Sequence, residues 1–154
     1  MSERFDEALR DIETVVAGEG TPRNKLRQVA NLVRAANPLY SWVGLYYLRG
    51  EVLELGPFSG LPTSCTRIAV GKGVCGTAVQ QRKNQVIHDV HQIDNYLACS
   101  PAVRSELVVL IWRGHEILGE IDVDSDELAA FTPADERFLD QVAALTAPFM
   151  AHAL

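Results

Sequence analysis

SELVVLIWRGHEILGEIDVDS, residues 105–125, reads as two strands joined by a tight turn at Gly114–His115. In the first strand Glu106, Val108, Leu110 and Trp112 share one face. In the second, Ile117, Ile121 and Val123 point one way, and Leu118, Glu120, Asp122 and Asp124 point the other. An acid at the head of an apolar face sets local pattern against burial, and such conflicts concentrate at functional sites. Three carboxylates on one strand face repel one another unless water or a cation compensates them. One reading is a solvated sheet rim. The other is a site for an ammonium group, or for proton donation by a carboxylic acid whose pKa its neighbours raise.

The period of two returns upstream, in SWVGLYYLRGEVLELGPF (residues 41–58), a strand that turns at Arg49–Gly50 into a second. Trp42, Gly44 and Tyr46 share one face, and Val43, Leu45 and Tyr47 the other. Both faces are apolar, so this strand is expected to be central and covered on both sides. Gly44 leaves space between two aromatics, which reads as a packing contact. Between the two hairpins, GPFSGLPTS (56–64) is a loop leading to Cys65, and CTRIAV (65–70) is a short strand. GKGVCGTAVQQRK (71–83) is a glycine turn that opens a short helix. Cys75 lies near its start, where the helix terminus favours a thiolate more acidic than the usual value of about 8.5. Its glycines lack the spacing of a phosphate-binding loop. NQVIHDV (84–90) is another strand. HQIDNYLACSPAVR (91–104) has no period and reads as a long loop holding Cys99, and long ordered loops are usually functional.

The ends are helical. Residues 3–17 place Phe5, Leu9, Ile12, Val15 and Val16 on one face and end at Gly18 and Gly20. Thr21 and Pro22 start a second helix with Leu26, Val29, Leu32, Val33 and Ala36 in its stripe, closed by Asn37–Pro38. Thr132, Pro133 and Asp135 start the last helix, whose expected stripe is Phe138, Val142, Leu145 and Phe149. This order predicts one α+β domain over residues 1–154, with a central antiparallel sheet and the first and last helices together on one face.

A formal net charge of -6 over 154 residues argues against a nucleic-acid or anionic-membrane surface. No apolar run approaches the roughly 20 residues that span a bilayer. The charged start MSERFDEALRDIE is no signal peptide, so a cytoplasmic protein with reduced thiols is expected. Each of the three cysteines taken alone reads as a small buried hydrophobe. The histidines, 88, 91, 115 and 152, form no ligand spacing with them, so no metal site and no cofactor are expected. No histidine is tied by spacing to a given cysteine, which weakens an acyl-transfer reading. Redox chemistry fits better: one cysteine in a loop, two near glycine turns, and carboxylates able to deliver protons on neighbouring strands.

The set GPF-x-G, C-x-R-I-x-x-G-x-G-V-C-G-x-A, D-V, A-C, S-E-[LI]-V-V and [LI]-D-[VI]-D-S resembles the free methionine-(R)-sulfoxide reductases, a GAF-domain enzyme family, over roughly residues 40–147. The resemblance implies a GAF-like fold whose loops and short helix form a pocket on the sheet face opposite the helices. It implies Cys99 as nucleophile, and Cys65 as resolving cysteine with Cys75 a second candidate. Glu106, Asp122 and Asp124 then bind substrate and deliver protons, and Trp42 and Tyr46 are pocket aromatics. The implied reaction reduces free L-methionine-(R)-sulfoxide through a sulfenic acid and an intramolecular disulfide. A thioredoxin-type reductant recycles the enzyme, and a homodimer follows by analogy. Tyr96 and Ser100 beside Cys99, a loop before Cys65 one residue longer, and Glu120 at a usually apolar position depart from the pattern. The alternative is a non-catalytic GAF module that binds a small ligand or senses oxidants.

Overall fold

The two periods build two layers, the three long helices on one side of a sheet. The computed structural model describes residues 2–151; His152 lies outside them. The chain runs α1 (Ser2–Ala17), α2 (Pro22–Ala35), β1 (Trp42–Arg49), β2 (Val52–Ser59), β3 (Arg67–Ala69), α3 (Gly73–Gln81), β4 (Gln85–Ile87), a 3-10 turn (Val90–Gln92), β5 (Ser105–Arg113), β6 (Glu116–Ser125) and α4 (Pro133–Met150). The strands form one six-stranded sheet in the order β3-β2-β1-β6-β5-β4, and every pair is antiparallel. This is the expected α+β architecture, with β1 in the interior of the sheet. None of the described helices is long and apolar enough to cross a membrane.

The helix starts follow from their caps. Thr21 Oγ1 accepts from the Asn24 N–H at 3.1 Å, with Pro22 at the first position. At α4 the Asp135 carboxylate accepts from the Thr132 N–H at 2.8 Å and the Thr132 hydroxyl at 2.7 Å. Asp135 also accepts from Tyr40 and Asn37, which ties α4 to the segment entering β1. Val43, Leu45, Leu107, Val109, Ile121 and Val123 face the helices and are buried there. Phe5 of α1 stacks on Phe138 of α4 with ring centroids 4.4 Å apart, so the terminal helices lie together as expected.

Two expectations about faces are corrected. Leu145 and Phe149 of α4 are only half-buried; Leu139, Val142, Ala143, Thr146 and Met150 face the core with Phe138. The Met150 side chain sits over Gly119, which has no side chain to exclude it. Leu145 and Phe149 pack at the margin of that core, and the Phe149 ring lies beneath the Lys25 ammonium, 4.8 Å from its centroid. In β6, Ile111 pairs with Gly119 but Trp112 pairs with Ile117, which leaves Leu118 as an extra residue. That bulge reverses the alternation at the start of the strand. Ile117 therefore packs with Val108 and Leu110 on the face away from the helices, and Leu118 packs on the helix side.

Candidate active site

The sheet face opposite the helices is covered by α3, by the segment 60–66 before β3, and by the cysteine loop 93–104. Together they enclose a cavity of about 540 Å³. Seven of the eight residues singled out from the sequence line it: Trp42, Tyr46, Cys75, Cys99, Glu106, Asp122 and Asp124. The eighth, Cys65, is buried in the wall and joined to Cys99 by a disulfide, with Cα atoms 5.6 Å apart. Cys75 is free and buried.

Strand register brings the acids together. Glu106 of β5 stands opposite Asp124 of β6, and Asp122 lies between Val108 and Gly44 on the flanking strands. The loops and α3 close over this row, so the solvated-rim reading is excluded: Glu106, Asp122 and Asp124 are 7%, 5% and 9% exposed. Burial is the main force on each carboxyl. It pushes Glu106 and Asp124 well above the ordinary range, helped by the charge of Asp122. Asp122 is raised less, because Glu106 and Cys75 share hydrogen bonds with it. The cluster therefore holds protons at a pH where free carboxyls have lost them.

Cys75 corrects a sequence expectation. Its place at the start of α3 favours a thiolate locally, yet burial and the charges of Asp122, Glu120 and Glu106 push the thiol well above its ordinary value. A helix terminus is a partial charge; burial together with three neighbouring carboxyl groups outweighs it. The thiol Sγ lies 3.9 Å from Glu106 Oε2.

The two aromatics do more than line the pocket. Trp42 donates Nε1–H to the Leu61 carbonyl at 2.9 Å, and the Tyr46 hydroxyl donates to the Cys65 carbonyl at 2.8 Å. Each thus pins the segment that carries Cys65, a role the sequence reading missed. The available signal was general: buried Trp and Tyr seek a partner for their polar end. The Trp42 ring lies over Gly44, where a Cβ would collide with it, so the packing reading of Gly44 holds. The cysteine loop is held from the other side. Asn95 Nδ2 donates to the Gly71 carbonyl at 2.7 Å, and Leu97 packs on Gly73, where a Cβ would come within 2.8 Å of Leu97 Cβ.

Glu120 stands one step deeper, fully buried opposite Tyr46 and Leu110, and both its oxygens lack a hydrogen-bond partner. Burial first, opposed by the neighbouring Cys75 thiol, sets its pKa well above the ordinary value near 4.5. A carboxyl with a raised folded-state pKa gives stability below the unfolded value that is lost as pH rises through the folded one. Glu120→Leu is therefore expected to stabilise the protein by about 1–3 kcal/mol at neutral pH. Its stability should also fall less steeply than the wild type's as pH rises above about 4.5. Urea unfolding at several pH values checks both; a less stable Glu120→Leu would show that the acid has a partner in the fold.

This sheet, capped by loops over a ligand-sized cavity, defines the class: the chain matches the GAF-domain family over residues 26–151 and belongs to it. It is 39% identical over 143 residues to GAF domain-containing protein A of Dictyostelium discoideum, covering 91% of this chain and 88% of that one. It is 38% identical over 143 residues to the free methionine-R-sulfoxide reductase of Escherichia coli, covering 93% and 86%. The crystal structure of the free methionine-R-sulfoxide reductase of Neisseria meningitidis in complex with its substrate superposes with a TM-score of 0.89 at 34% identity, covering 97% of this chain and 89% of that one. Within the GAF proteins the chain belongs to the free methionine-R-sulfoxide reductases, a family of oxidoreductases.

Proposed function

We propose that the cavity reduces free L-methionine-(R)-sulfoxide to methionine, with Cys99 as nucleophile and Cys65 as resolving cysteine. The observation that carries this reading is the pairing of Cys65 with Cys99 beside a cavity floored by buried carboxyls. The relatives named as free methionine-R-sulfoxide reductases support it. The Cys99 thiolate attacks the sulfoxide sulfur, which gains an electron pair. A carboxylic acid of the Glu106–Asp122–Asp124 cluster gives its proton to the departing oxygen. The hydroxyl passes to the Cys99 sulfur as the substrate S–O bond and the bond between the two sulfurs break, leaving a sulfenic acid on Cys99 and releasing methionine. The Cys65 thiol then condenses with the sulfenic acid, releasing water and forming the disulfide. A thioredoxin-type dithiol restores both thiols by exchange.

The same acids explain selection of the free amino acid. Asp122, raised less than its two neighbours, is the carboxyl of the cluster that ionises first and pairs with an α-ammonium, and a peptide-bound residue offers only a neutral amide in its place. Leaving a buried charge unpaired is costly, so the peptide form is rejected. Cys65→Ser is expected to allow one turnover per chain and then stall, whereas Cys75→Ser recycles. Burst and steady-state methionine release under a thioredoxin system separate the two. Stalling of Cys75→Ser with normal cycling of Cys65→Ser would reverse the assignment.

A further inference from the structure

Cys75, Glu106 and Asp122 form a set that the proposed reduction does not use as a set. Cys75 Sγ, a Glu106 oxygen and an Asp122 oxygen all lie within 4.8 Å of one another. They come from α3, β5 and β6, so sequence spacing could not reveal them. Tetrahedral zinc takes sulfur at about 2.3 Å and carboxylate oxygen at about 2.0–2.2 Å, which sets ligand atoms roughly 3.5 Å apart. The Cys75–Glu106 separation of 3.9 Å is close to that, and the other ligand atoms, within 4.8 Å, would have to draw in to close the triad on an ion.

A second observation points to a cation. Asp122 Oδ1 and Asp124 Oδ1 are buried without a hydrogen-bond partner, and both residues line the cavity. Glu120 lies behind Cys75 and outside the cavity lining. Among the described residues the ion pairs involve Glu54 and Glu116, both outside the pocket. Arg34 and Lys72 also line the cavity, but among the described residues neither pairs with these acids, and buried carboxyl oxygens without partners favour a positive ligand. Magnesium and calcium seek a shell of oxygens. A thiolate with two carboxylates selects a softer ion.

We propose that Cys75, Glu106 and Asp122 bind a thiophilic divalent cation, zinc foremost, with a fourth position open to the cavity. Glu106 and Asp122 cannot hold this ion and the ammonium of an amino acid together, so zinc is a reversible competitor for the pocket. The site depends on the geometry of the cavity and not on turnover.

The test uses the oxidised protein, in which Cys75 is the free thiol. Titration with Co²⁺ is expected to give one ion per chain and a sulfur-to-cobalt charge-transfer band, displaced by Zn²⁺ and weakened by free methionine-(R)-sulfoxide. Cys75→Ser should abolish the band and weaken cobalt binding by roughly 10–100-fold or more. No band in the wild type overturns the proposal without any variant, as does a band that persists in Cys75→Ser. Cobalt affinity indifferent to the sulfoxide overturns the competition. A protein that reduces sulfoxide but shows no band defeats this inference alone. One that binds cobalt through Cys75 yet never reduces sulfoxide defeats the reductase reading alone.

Discussion

Cys99→Ser is expected to abolish steady-state reduction of free methionine-(R)-sulfoxide, a loss on the order of 10⁴-fold or more, the scale on which removing a nucleophile is felt. A serine hydroxyl stays protonated at neutral pH and is a poor nucleophile toward sulfur. It can neither carry the oxygen as a sulfenic acid nor form the disulfide with Cys65. The fold should not explain the loss. Cys99 is half-buried in a loop that, apart from the disulfide, is anchored by Asn95 and Leu97. Under reducing conditions, where the wild type also lacks the crosslink, Cys99→Ser should therefore melt within a few degrees of it. Turnover is followed by methionine release with a thiol reductant in excess. Undiminished turnover in Cys99→Ser would sink the mechanism.

The second large effect is expected at Glu106. Glu106→Gln keeps the size and hydrogen-bonding reach of the side chain but removes its dissociable proton, and kcat should fall by about 10²–10⁴-fold. Glu106 is held protonated by burial and by Asp122 and Asp124. The wild-type rate should therefore be highest on the acid side of that raised titration and decline as pH rises through it. In Glu106→Gln this alkaline limb should vanish or shift, because the remaining acids, Asp122 and Asp124, experience a different charge environment. A kcat–pH profile for both proteins decides it. An unchanged limb in Glu106→Gln would assign the proton to another group.

The split of β1 into a helix-facing and a pocket-facing row was legible because Trp42, Gly44 and Tyr46 alternate with Val43, Leu45 and Tyr47 over an unbroken strand. The carboxylate row was legible too, but its burial was not. What covers Glu106, Asp122 and Asp124 is α3 and the 93–104 loop, which arrive from elsewhere in the chain. The bulge at Leu118 is a property of two strands pairing, two residues against one, and one strand's alternation cannot record it. Phe149 is large and apolar at helical spacing and packs at the edge of the core, where Lys25 lies over its ring. For Cys75 the local signal was real and lost to charges gathered by the fold. Trp42 and Tyr46 were found as pocket aromatics. Their hydrogen bonds to Leu61 and Cys65 could be seen only when the loop lay across them.

The central claim is that the pocket turns one sulfoxide into one disulfide, and single-turnover thiol titration addresses it most directly. Fully reduced protein, with three thiols per chain, is mixed with free L-methionine-(R)-sulfoxide. The S epimer and a peptide-bound sulfoxide serve as controls. The expected result is loss of two thiols and release of about one methionine per chain with the free R form alone, Cys75 remaining titratable. No thiol loss with any of the three compounds would contradict the account and leave a GAF domain that binds a small ligand without turning it over.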